Sequence, residues 1–179
     1  MLYAFGFERL GVVVGDLYLV DPSLPAGREG PERGVRLEVR MFERGDAGGS
    51  LYKAWPITLE RPLWRADLLE SVASPPGSLD RAHYHPSFTG WGPVDDVFTP
   101  ELSADPVGWL ADRLADPAAL LAEAGVGRGE VGPHDVADLQ AAQPDIMRFV
   151  EQLIDTAADG LQARPPHWEQ LASARISWL

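Results

Sequence analysis

Residues 35–44 carry the clearest period in the chain. Val35, Leu37, Val39 and Met41 alternate with Arg36, Glu38 and Arg40. Successive side chains on a strand point to opposite faces, so one face is apolar and meets a core. The other is a charged ladder of alternating sign, and the simplest expectation for it is a solvated sheet face. Two earlier strands are predicted at residues 3–9 and 12–20, which are rich in Val, Tyr, Phe and Leu. Leu10-Gly11 reads as the turn or bulge between them, and Gly15-Asp16 as a point where the second can break. Asp21-Pro22 ends it, because proline cannot donate to a ladder and pushes its predecessor out of helix. Residues 22–34 then form a polar Pro/Gly loop long enough to lie over a site.

Residues 45–49 predict a hairpin turn and residues 51–59 the returning strand, with Pro56 marking a bulge or an edge. Residues 62–72 fit two periods. Trp64, Ala66 and Leu68 alternate as in a strand, while Trp64, Leu68, Leu69 and Val72 also make a helical stripe. The hairpin-like segments before them favour the strand. Residues 74–77 (Ser-Pro-Pro-Gly) close it, and residues 80–98 read as loop and short strand.

The period then changes. Asp105-Pro106 and Asp116-Pro117 each place a capping carboxylate before a proline at the first helical position. Val107, Leu110 and Leu114 form the stripe of the first helix, and Gly125 ends the second. Helical sequence resumes near His134. The strongest helix is expected to start near Pro144, with Ile146, Phe149, Val150, Leu153, Ile154, Ala157 and Leu161 on one face and Gly160 at its end. Strands first and helices after predict an α+β fold, an N-terminal and mainly antiparallel β-sheet packed by C-terminal α-helices. The expected organisation is one domain over residues 1–179. It comprises a β-rich part (1–100), a helical part (101–163) and an apolar C-terminal tail (164–179).

Composition narrows the function classes. There is no cysteine, which excludes disulfides, thiolate zinc sites and cysteine nucleophiles. The N-terminus has neither the basic segment nor the apolar run of a signal peptide, and no apolar run is long enough to span a bilayer. A cytoplasmic protein without membrane contact is therefore expected. Net charge is −12, and residues 1–100 hold 10 basic against 14 acidic residues while residues 101–179 hold 5 against 13. That balance disfavours sequence-independent binding of RNA or another polyanion, which needs a positive surface. It leaves room for a local arginine cluster in the first part.

The chemistry-bearing residues gather between positions 65 and 98. His83 and His85 form an H-x-H pair, and on a strand both point to the same face. Three readings are open for the pair. It can act as a general acid and base, since imidazole titrates near neutral pH. It can bind a divalent ion, with Asp80 or Asp67 completing the donors. It can also be structural or simply exposed. Arg65 and Asp67 share a face two positions apart, either as an anion-binding arginine with its orienting aspartate or as an ordinary surface ion pair. Arg81, Tyr84 and Trp91 are the substrate-contact candidates nearby. Phe88, Trp91, Phe98 and Tyr84 make the region aromatic, as a stacking platform or as a plug for the sheet end. Asp95-Asp96 reads as a solvated loop. Motifs of P-loop NTPases, dinucleotide-binding folds, zincins and α/β-hydrolases are missing.

Taken in order, Leu37-Glu38-Val39-Arg40, Trp64-Arg65-Ala66-Asp67 and His83-Tyr84-His85-Pro86, followed by a short acidic helix, resemble the TumE-like toxins of bacterial toxin–antitoxin pairs. The resemblance covers residues 35–115 at most. It implies a compact sheet, an RNase-like activity neutralised by a partner protein, and site roles for Arg65, Asp67, His83 and His85. The chain departs from that family after Asp67, where Leu68-Leu69-Glu70 stands in place of Asn and a first histidine pair. It also adds helices.

The leading expectation is a metal-independent, cofactor-free RNase-like or phosphoester-handling site. His83 and His85 would be its acid and base, Arg65 its charge stabiliser and Asp67 its orienting group. The alternatives are a non-catalytic module that binds a protein through its sheet edge or C-terminal tail, and a small-molecule pocket between sheet and helices. Trp178 and Leu179 lose hydrophobic free energy if left in water, so the tail is expected to be docked. Deleting residues 174–179 should then lower the melting temperature or abolish partner binding. An unchanged melt together with unchanged binding would make the tail a passive extension.

Overall fold

A computed structural model describes residues 1–19, 30–44 and 57–158. Most of the expected 22–34 loop, the 45–49 turn, Pro56, Gly160 and the apolar tail lie outside those residues. Five strands form one antiparallel meander: β1 (Leu2–Gly6), β2 (Leu10–Leu19), β3 (Glu32–Arg44), β4 (Ile57–Ser71) and β5 (His83–His85), in that spatial order. A small hairpin, β6 (Phe88–Thr89) and β7 (Gly92–Pro93), follows. The helices are α1 (Pro100–Ala104), α2 (Pro106–Ala115), α3 (Pro117–Glu123) and α4 (Asp135–Ala158). This is the expected α+β arrangement. Among the described residues, no helix is long and apolar enough to cross a membrane.

One sheet face carries the core. Val12 and Val14 of β2, Val35, Leu37 and Val39 of β3, and Trp64, Ala66 and Leu68 of β4 are buried there in register. They meet Leu102, Leu110, Leu114, Leu120 and Leu139, and the Ile146, Val150 and Leu153 stripe of α4. Helix α4 lies against β2 and β3, while α2 and α3 lie against β4. Tyr3 of β1 stacks on Phe149 at 4.0 Å between centroids.

Polar side chains tie the layers together. The buried Asp135 carboxylate accepts from the main-chain N–H groups of Glu8 (2.8 Å) and Arg9 (3.2 Å), in the β1–β2 turn, and of Gly132 (2.6 Å). Glu8 reciprocates by accepting from the His134 N–H at 3.1 Å. The start of α4 and the first hairpin are thus clamped to each other. Glu123 at the end of α3 accepts from Trp64 Nε1, the Tyr84 hydroxyl and Arg113. Burial foremost, with Glu123 beside it, pushes the Tyr84 phenol up from its ordinary value.

Several local expectations are corrected. Leu10-Gly11 begins β2, the turn lying at residues 7–9, and Gly15-Asp16 does not interrupt the strand. The strands expected at 51–59 and 62–72 are one strand over their described part. It stays continuous because register shifts opposite Arg40, which pairs with Pro62, absorb the proline. The Asp-Pro helix starts hold, with Asp105 and Asp116 capping Gly108 and Ala119. The long helix starts at Asp135 rather than near Pro144, which sits inside it. Its buried stripe runs across the proline from Leu139 to Ile146, and that packing outweighs one lost hydrogen bond. Helix α1 opens the expected helical part, one turn ahead of the first Asp-Pro start. Thr99 caps it by accepting from Leu102 N ahead of Pro100. The largest correction concerns the charged ladder of β3, which is not solvated: Arg36 is 9% exposed and Glu38 3%.

Leu153 is fully buried, so Leu153→Ala should cost about 2–5 kcal/mol in urea melts. Asp145 is exposed and, among the described residues, pairs with the exposed Arg148 one helical turn away, so Asp145→Ala should stay within about 0.5 kcal/mol of wild type. Equal melts for the two variants would contradict the packing of α4.

Candidate functional site

The second face of the sheet holds the titratable residues. Register decides which of them meet. Asp67 pairs across with Arg36 on one side and His83 on the other, while Arg65 pairs with Glu38 and His85. Two cross-strand rows result, Arg36–Asp67–His83 and Glu38–Arg65–His85. The buried Val13 and Leu69 occupy the same strand parity and flank the rows with apolar surface.

Asp67 is at the centre and only 1% exposed. Arg36 grips it bidentately, with Nε donating to Oδ1 at 2.6 Å and Nη2 to Oδ2 at 3.0 Å. Arg65 Nε lies 3.0 Å from Oδ2. The Nε2 atoms of His85 and His83 approach the same oxygen at 3.2 and 3.5 Å. Burial pushes the Asp67 carboxyl up. The His85 contact, the paired Arg36 and the nearby Arg65 outweigh it and hold the group well below the usual carboxylate range. Asp67 is therefore an ionised anchor whose oxygens are already engaged, not a proton acceptor. Burial also lowers Arg65, against the opposing pull of Asp67; Arg36 adds to the lowering and Glu38 and Asp96 oppose it.

The histidines are oriented from behind. His83 Nδ1 lies 2.9 Å from the Arg81 carbonyl oxygen and His85 Nδ1 2.9 Å from that of Asp95. A carbonyl only accepts, so each Nδ1 bears a proton; a ring without a second proton presents an Nε2 lone pair to the cluster, and a ring with one points an Nε2–H at Asp67. Arg65 Nη2 donates to the His85 lone pair at 2.6 Å. That nitrogen cannot also donate to Asp67 unless the ring takes a second proton. The two rings stand edge to face, 5.0 Å apart.

Aromatic residues after β5 lie over these groups. Phe88 faces Arg65 at 5.6 Å, Trp91 faces Arg40 at 5.1 Å, and Phe98 lies 5.3 Å from His83. Arg40 also pairs with Glu38 and donates to the Glu60 carbonyl. The segment covers part of the face that the alternating ladder led us to expect in water.

The structure thus brings Arg65, Asp67, His83 and His85 together. Trp91 stands at the rim, 69% exposed. Tyr84 points to the opposite face, against Trp64 and Trp109. Arg81 joins through its main-chain carbonyl. Asp80 is committed to the β4–β5 turn, where it accepts from Ser71 N at 3.0 Å and Ser74 Oγ at 2.8 Å. Asp67 is instead the carboxylate grouped with the histidines, with donor atoms of all three within 4.8 Å of one another. Asp95 and Asp96 are exposed as expected, although Asp96 Oδ1 reaches His85 Nδ1 at 3.1 Å. Sequence reasoning missed Arg36. The signal was present, because Arg-x-Glu at 36–38 and Arg-x-Asp at 65–67 complement each other when paired antiparallel.

The chain matches no protein-family model, no curated protein and no solved structure.

Asp67→Asn should cost about 3–5 kcal/mol, because it strands a buried guanidinium. The carboxyl titrates lower folded than unfolded, so its contribution is complete above about pH 4 and is lost as pH falls through the folded value. Wild type should therefore lose stability more steeply than Asp67→Asn on acidification below about pH 4. Parallel slopes would show that the carboxylate is not held ionised.

Proposed function

We propose that the second sheet face is a metal-independent site for an anionic ester, a phosphodiester above all. The observation that carries this reading is the convergence of two back-oriented imidazoles and an arginine on one buried carboxylate. Asp67 and the main-chain carbonyls hold the rings, as second partners do in acid–base pairs. Arg65 is the cation nearest His85 Nε2. An anion that draws Arg65 toward itself frees that nitrogen, so charge neutralisation and acid–base function are linked in one movement. One imidazole, neutral at Nε2, then takes the proton of the attacking hydroxyl, and the other, having first taken a second proton from solvent at Nε2, gives it to the leaving oxygen. His83, with its side chain 16% exposed, is the more accessible of the two. The resemblance carried by Arg65, Asp67, His83 and His85 to TumE-like toxins points the same way, toward RNA.

A second reading has its own support. Trp91, Val94 and Phe98 are all more than half exposed within one short segment. Such a cluster fits a non-catalytic protein-binding module.

Cleavage of a labelled RNA oligonucleotide and of an activated phosphodiester, measured in EDTA, separates the two. Wild type should cleave, and His83→Ala and His85→Ala should each lose at least about 100-fold in rate while keeping a cooperative melt. Arg65→Ala should slow turnover as well. If wild type and both histidine variants are equally inactive, the ester reading fails and the binding module stands.

A further inference from the structure

We propose that Asp67 Oδ2, His83 Nε2 and His85 Nε2 form a binding site for a borderline transition-metal ion, zinc above all, and that Arg65 competes with the ion for it. The inference goes beyond the ester reading and does not depend on it.

The donor arrangement is already that of a metal site. Both Nδ1 atoms donate to main-chain carbonyls, at 2.9 Å each, and so aim the Nε2 lone pairs inward. Metal-binding histidines are characteristically held in this way. Oδ2 lies 3.5 Å from one Nε2 and 3.2 Å from the other. Tetrahedral zinc with bonds of about 2.0–2.1 Å sets its ligands about 3.3 Å apart. Two of the three donor separations are therefore close to what the ion requires, and the third is within 4.8 Å. Arg36 would remain on Asp67 as the outer partner that orients the carboxylate. Three protein donors leave the fourth position of a tetrahedral ion open to water or another ligand.

The electrostatics also call for a cation. Two lone pairs and a carboxylate oxygen this close repel one another unless a positive charge lies among them. Arg65 supplies that charge, but with imperfect geometry. Its Nε is buried and makes no hydrogen bond among the described residues, although it sits 3.0 Å from Oδ2. A guanidinium held by charge without full directional bonding is a displaceable occupant. Two imidazoles and one carboxylate suit zinc, cobalt, nickel and copper, whereas magnesium and calcium prefer oxygen alone. Where the ester reading also holds, the ion would occupy both Nε2 atoms and inhibit the acid–base pair.

The test is zinc binding to the tag-free full chain, measured by competition with a chromophoric chelator at neutral pH. Visible absorption of added cobalt reports the geometry. Wild type should bind one zinc per chain, and cobalt should give the intense bands of a four-coordinate site. His83→Ala and His85→Gln should each weaken zinc at least about 10-fold. Arg65→Gln should tighten it at least about 10-fold, a result that general surface binding would not give. Millimolar magnesium should not compete. Absence of zinc binding by wild type, unchanged affinity in a folded His83→Ala, or no tightening in Arg65→Gln overturns the proposal. Zinc binding without any ester cleavage sinks the ester reading alone, and cleavage without zinc binding sinks this one alone.

Discussion

A carboxylate shut away from water governs one whole face of this sheet. Asp67 is ionised there because Arg36 and Arg65 neutralise it. Its partners come from three adjacent strands, so the cluster exists only in one register. A slip of one residue would turn Asp67, Arg65 and both histidines toward the helices and bury them among leucines. Buried ionic clusters are weak devices for stability, since well-packed apolar residues often do as well. Six polar side chains stand in the two cross-strand rows of this face.

The opposite face supplies rigidity. Trp64 and Tyr84 pack with Trp109, and Glu123 takes hydrogen bonds from Trp64, Tyr84 and Arg113 at once. Tyr84 lies between the two histidines in sequence but on the other face in space. Anchoring it to the helices therefore fixes the strand that carries the imidazoles. The Asp135 clamp does the same for the first hairpin. Site residues on strands braced from behind are placed more precisely than residues on a loop.

The segment after β5 closes the arrangement. It is tied back by reciprocal main-chain hydrogen bonds between Tyr84 and Val97 and supplies the Asp95 carbonyl that orients His85. Its rings cover Arg65, Arg40 and His83 while leaving Trp91 and Phe98 largely open to solvent. Aromatic surface thus borders a face rich in arginine and histidine.

The sequence by itself determined the α+β order, the period-two strand at residues 35–44, the Asp-Pro helix starts and the buried stripe containing Leu153. Each depends on residues near one another in the chain. It also placed His83 and His85 on one face, because alternation is a local property. Tertiary structure decided the rest. The charged ladder reads as solvated along the chain, since nothing local shows that Arg36 will lie opposite Asp67 or that Trp91 will cover Arg40. The continuity of the long helix across Pro144 is likewise a matter of what packs against it. Asp67, rather than Asp80, meets the histidines because strand pairing sets the alignment of β4 and β5, and a register is a relation between segments that neither segment contains alone.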